Sequence, residues 1–241
     1  MVTKTQERAN YEIRRARTEI EVPHLDRRLV VAYPFYGPDN AAKNLRDKIR
    51  ADGLREPTSG EVVSFLHVAY KRKEPEFQEA TRLMDNKNFR AFTGILYDPE
   101  TKLAYFVNFP DFDRNSIVTL DRDRVIERKE SGDDSIRTVP FEHVRDGERK
   151  INELAEEPYI IAFAESKEGA EKVAEIADRT RERHGYIVVP NFSSLTKPEV
   201  RIASLIVGYV GGRLDNLGYD LGRGYGYTFG VLDNQQETSL L

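Results

Sequence analysis

Two periodicities organise the apolar positions of this chain, and both appear between Pro158 and Pro190. A continuous run, Tyr159-Ile160-Ile161-Ala162-Phe163-Ala164, comes first. A helical spacing follows from Ser166 to Arg183, with Ala170, Val173, Ala174 and Ala177 on one stripe. A second run, Tyr186-Ile187-Val188-Val189, closes the segment. Short continuous runs suit strands buried on both faces, and the segment between them suits a crossover helix with Ser166 as its cap. The pattern therefore predicts a βαβ crossover over residues 159–189.

Upstream, Leu29 to Tyr36 reads as a strand. Ala42, Leu45 and Ile49 share one side of a helix that Asp39 can cap and Gly53 can close. Thr58-x-x-Glu61 is a capping box, and Val62, Phe65, Leu66, Ala69 and Tyr70 recur behind it at the spacing of one helical face. Pro75 opens a third helix with Phe77, Ala80 and Met84 inward. Ala91–Tyr97 and Leu103–Phe109 flank an Asp98-Pro99 turn and predict a central hairpin. Short strands are expected in 116–120 and 135–139, a surface helical turn in 121–134, and a short helix over 148–155.

Thr196-x-x-Glu199 looks like a second capping box. With Ile202, Leu205, Ile206, Tyr209 and Val210 it predicts a buried helix. Eight of the 16 glycines lie between Gly208 and Gly230, and this glycine-aromatic stretch ends in a strand-like Tyr227–Leu232. The fold class expected is α/β or α+β: a mixed sheet with a central hairpin and at least one βαβ crossover, its faces covered by helices. Residues 29–241 form one globular domain in this reading. Residues 1–28, rich in charge and sparse in apolar side chains, form an arm.

Composition narrows the function classes. The chain has 241 residues, no Cys and a net charge of −4, so disulfides and thiol chemistry are excluded and a wholly basic nucleic-acid binder is disfavoured. Arg outnumbers Lys by 25 to 12, which favours ion-pair networks. Neither a secretory leader nor a membrane span is visible, and a cytoplasmic protein is expected.

Candidate chemistry follows from the predicted crossover. In open sheets, ligands bind beyond the carboxyl ends of parallel strands, here Glu165-Ser166 and Asn191 to Ser194. The first turn after Ser166, with Gly169 in it, could receive a phosphate. The expected ligand contacts are Ser166, Gly169, Asn191, Ser193 and Arg223, and the expected function is binding of a phosphate-bearing small molecule. A hydrolase with Glu165 as general base is one alternative. A protein or RNA interaction module, using the Arg-rich arm or the Tyr/Gly stretch, is another. No cofactor is implied and no metal-ligand spacing occurs. Asp111-x-Asp113-x-Asn115 opens like a calcium loop, but Ser116 and Arg122 stand where Gly and Glu are required.

Overall fold

The computed structural model describes residues 18–85, 87–180, 184–188, 190, 192–207, 214–220 and 223–232. The chain begins with the antiparallel pair β1 (Thr18–His24) and β2 (Arg27–Ala41), then α1 (Ala42–Ala51), α2 (Ser59–Ala69) and α3 (Pro75–Met84). Next come β3 (Asn88–Asp98), β4 (Leu103–Asn108), the small pair β5 (Asp111–Phe112) and β6 (Val118–Thr119), α4 (Arg122–Glu130) and β7 (Arg137–Pro140). After β8 (Gly147–Lys150), three helices follow in succession: α5 (Ile151–Leu154), α6 (Pro158–Phe163) and α7 (Lys167–Asp178). Strands β9 (His184–Val188), β10 (Glu199–Val207), β11 (Leu214–Asp220) and β12 (Arg223–Leu232) complete the order.

Ten of the strands form one mixed sheet in the order β1-β2-β12-β3-β10-β11-β9-β8, with β4 pairing β3 and β7 pairing β4. Strand β3 is the hub. It runs antiparallel to β10 along one edge, while its other edge is shared by β12 at Asn88–Phe89 and β4 at Thr93–Asp98. Side chains alternate along it with period two. Phe89, Ala91, Ile95 and Tyr97 enter the main core with residues of α2, α3, α6 and α7. Phe92 and Leu96 point the other way, into the smaller clusters under α1 and α4. The mixed α+β architecture and its central hairpin are thus as expected, with the hairpin in register Thr93↔Asn108 to Asp98↔Leu103. Buried Asp98 accepts from the Glu100 amide and the Thr101 hydroxyl, which fixes the turn.

Four local expectations are corrected. The 159–189 crossover lacks its first strand, because Pro158–Phe163 is helix α6, started by Pro158 at its first position. Tyr159, Ile160, Ala162 and Phe163 are all buried, so apolarity around every side of a short helix imitates a doubly buried strand. The converse occurs at β10, read above as a helix. Strand β10 lies between β3 and β11, and its residues Ile202 and Ala203 enter opposite cores. β-Branched Val200, Ile202, Ile206 and Val207 favour the strand. Residues 147–150 are strand β8, leaving only Ile151–Leu154 helical. The segment assigned to the arm enters the sheet at Thr18, where β1 buries Ile20 and Val22 against β2.

Candidate functional site

Several buried polar side chains, Thr58, Ser59, Glu61, Ser64 and Thr93, surround the first turns of α2. The capping box foreseen there is present. Thr58 Oγ1 accepts from the Glu61 amide at 3.3 Å, and the Glu61 carboxylate accepts from the Thr58 amide at 2.9 Å. Glu61 does more than cap. Its side chain is fully buried, and Arg55 grips it with two nitrogens, at 2.8 and 2.9 Å. Arg27, on β2, reaches the same Oε1 at 2.7 Å while its own side chain remains 54% exposed. Burial pushes the Glu61 carboxyl up, but the Arg55 hydrogen bonds and charge, with the Thr58 amide, outweigh it and hold the group below the usual carboxylate range.

A second network lies on the other side of the same turn. The Ser59 amide donates to Thr93 Oγ1 at 3.0 Å, and Thr93 donates to Asn108 Oδ1 at 2.8 Å across the β3–β4 pair. Asn108 donates to Glu165 Oε1 at 3.1 Å, and Arg137 from β7 pairs with that oxygen at 2.9 Å. Ser59 Oγ also donates to the Phe163 carbonyl at the end of α6. Strand β3, hairpin partner β4, strand β7 and helix α6 therefore all meet at one helix start. Glu165 lies over Gly60, where an added Cβ would stand 2.7 Å from its Oε2. The protein's own carboxylate thus covers the positive end of α2.

Two residues bordering this turn are held in the left-handed region, Glu165 at φ +68° and Phe109 at φ +59°. For non-glycine residues that costs about 1–3 kcal/mol each, so the surroundings must impose it. At Glu165, the pairing with Arg137 and Asn108 accounts for the choice of a carboxylate over Gly. At Phe109 the backbone amide donates to the Phe92 carbonyl at 2.7 Å and buried Pro110 follows, which fixes the chain path but leaves the side chain outside the core. The residue is 42% exposed, with the Arg55 guanidinium 5.5 Å from its ring centroid. Among the described residues the only other large apolar side chain so exposed is Leu25, in the β1–β2 turn two residues before Arg27. His24, just before Leu25, is buried and pairs through Nδ1 with Ser64 Oγ on α2 at 2.9 Å. Burial lowers its pKa, and the nearby Glu61 and Glu165 charges oppose that only in part.

Of the residues expected to bind ligand, the structure brings two together. Ser166 is the cap of α7, its Oγ accepting from the Gly169 amide at 2.9 Å. Gly169 is packed rather than open, since a Cβ there would lie 2.2 Å from the Ala164 carbonyl oxygen. With α6 helical, Glu165–Ser166 joins two helices and is not a strand end. Ser193 falls in a short 3-10 turn and Arg223 begins β12, but their side chains lie outside the described residues, as does all of Asn191. Glu165, the candidate base, is bound up with Arg137 and Asn108. Sequence reasoning missed Arg27, Arg55, Asn108, Phe109 and Arg137. Only the capping box marked the place, and it marked a helix start, not a surface.

A polar cavity of about 400 Å³ lies elsewhere, between His143, Arg145, Glu148, Arg149, Glu153, Glu157 and Pro158. The Arg149 guanidinium is committed there to Glu157 and to the Glu148 and Arg145 carbonyls. Among the described residues no three His, Asp or Glu side chains gather as a metal site requires, and no helix is long and apolar enough to cross a membrane.

No family model matches the chain, and no curated protein matches it by sequence. Among solved structures it is similar to a chain from work on "Accommodation of massive sequence variation in Nanoarchaeota by the C-type lectin fold". The TM-score is 0.60 at 15% identity, over 92% of this chain and 100% of that one. The chain therefore has a fold resembling the C-type lectin fold.

Proposed function

We propose that this protein is a binding module that recognises its ligand on the face formed by Phe109, Arg27, Arg55 and Leu25. The observation that carries the reading is Phe109, a large aromatic exposed beside Arg55, which shares the buried Glu61 carboxylate with the half-exposed Arg27. Such a residue contributes little to the core, and its exposure is accounted for if it contacts something outside the chain. The resemblance to a C-type lectin fold, used in the Nanoarchaeota protein to accommodate sequence variation, agrees with a rigid scaffold presenting a surface. Binding is favoured over catalysis because the nearby carboxylates, Glu61 and Glu165, are each engaged by arginines. The phosphate-bearing ligand expected from the sequence moves, in this reading, from Ser166 to the Arg27 side of α2.

The test is saturation-transfer NMR with a panel of glycans, nucleotides and short peptides, on the wild type and on Phe109→Gly. Glycine suits the positive φ, so the variant is expected to fold with a Tm within about 4 °C of the parent, a change near 1 kcal/mol. Binders that lose their signal in Phe109→Gly support the placement. Binders that persist unchanged refute it.

A further inference from the structure

We propose that the ligand of this face carries an oxyanion attached to a flat apolar group, with the oxyanion held by Arg27 and the flat group laid on Phe109. The inference rests on the binding-module reading above and adds the chemistry of the ligand. Two guanidinium groups share one carboxylate, and they are not equivalent. Arg55 is mostly buried and spends both terminal nitrogens on Glu61, with a further bond to the Glu56 carbonyl. Arg27 donates one nitrogen to Glu61 and, among the described residues, has no other hydrogen-bond partner; more than half of its side chain meets solvent. Glu61 therefore anchors Arg27 by one corner of its planar fork and leaves the remaining N–H donors facing outward.

A guanidinium fixed in this way is prepared for a carboxylate or phosphate, because its geometry matches two parallel hydrogen bonds and little orientation entropy remains to be lost. A cation is poorly served here. Glu61 is wholly buried and Glu165 is paired with Arg137. The Phe109 ring has the Arg55 guanidinium near it, and the residue as a whole remains exposed, so an aromatic or other flat apolar group can stack there. Arg27 and Phe109 are joined through Glu61 and Arg55, so the two subsites are neighbours. Arg28 is engaged by Glu21 at 3.0 Å, and Asp26, in the turn, is the acid that opposes an incoming anion.

The experiment is a backbone-amide NMR titration with phenyl phosphate, inorganic phosphate, hydrocinnamate, adenosine monophosphate, N-acetylphenylalanine and a neutral disaccharide. Saturable shifts confined to residues 24–28, 55–61 and 108–109 are expected with phenyl phosphate and hydrocinnamate, and much weaker ones with inorganic phosphate. Arg27→Ala should weaken phenyl phosphate about tenfold or more, the usual loss for a hydrogen bond to a charged group. Phe109→Gly should weaken phenyl phosphate while leaving inorganic phosphate unchanged. Asp26→Asn should tighten both. The nucleotide and the acylated amino acid distinguish a phosphate source from a peptide carboxylate. Shifts on this face from the disaccharide alone would overturn the ligand class and keep the binding face. Probe shifts located elsewhere, or none from any probe, would overturn both.

Discussion

Removing the Glu61 carboxylate tests whether the α2 start is organised as described. In Glu61→Ala the Arg55 guanidinium, four-fifths buried, loses both of its carboxylate bonds, and the Thr58 amide loses its acceptor. Breaking a buried pair by removing one partner costs about 3–5 kcal/mol, and the lower end applies because Arg55 keeps some contact with water. Loss of the cap adds about 1 kcal/mol. Arg27 is half-exposed and adds little. The total is about 4 kcal/mol, or a fall in Tm of roughly 8–16 °C for a chain of this size. Calorimetry or thermal melting followed by circular dichroism at pH 7 reads it directly. Glu61→Gln, which keeps an acceptor for Thr58, should lose about half as much, and Arg55→Met/Glu61→Gln should be less destabilised than the two single changes added together.

The same carboxylate should appear in the pH dependence. Its folded-state pKa is depressed, so its contribution is fully present above the unfolded value near about 4.3 and is lost as pH falls through the folded value. The wild type should therefore lose stability below about pH 4 more steeply than Glu61→Gln. A Tm loss under about 3 °C in Glu61→Ala, or identical acid limbs for the two proteins, would refute the reasoning.

The His24 imidazole, depressed chiefly by burial, should titrate below about 6.5 by NMR, and its share of stability should be lost as pH falls through that midpoint; a midpoint above 6.5 would contradict the burial argument. Gly169→Ala places a Cβ 2.2 Å from a backbone carbonyl that cannot easily retreat, so a loss of about 3 kcal/mol or more in urea melts is expected, and a neutral result would mean α6 and α7 pack differently. Ser204→Ala should be neutral or stabilising, because the buried Ser204 hydroxyl has no hydrogen-bond partner among the described residues; a loss above about 1 kcal/mol would reveal one.

The elements that were legible in the sequence carry a second local signal besides apolar spacing. Helix α2 has its capping box, α3 its Pro75, α7 its Ser166 and the β3–β4 hairpin its Asp98-Pro99 turn. Where burial is nearly complete, periodicity vanishes and helix and strand exchange places, as at α6 and β10. Asp39 shows a finer displacement: it lies ahead of α1, its carboxylate accepting from the Ala41 amide and the Asn44 side chain, while the N-cap position is Ala41. The candidate site was illegible for another reason. Arg27, Arg55, Glu61, Phe109, Arg137 and Glu165 come from six separate segments, and only the fold brings them to one helix start. No spacing along the chain records that Arg27 and Arg55 share one carboxylate, or that Phe109 adopts a positive φ.

The central claim is that Phe109 and its arginine neighbours meet a ligand, and the most direct measurement is the 19F resonance of 4-fluorophenylalanine placed at position 109, followed through a phenyl phosphate titration. The account predicts a saturable shift in the 109 resonance whose midpoint moves to about tenfold higher ligand or more in Arg27→Ala. An unmoved resonance at a concentration where the amide spectrum shows binding elsewhere, for example around His143 to Pro158, would contradict it.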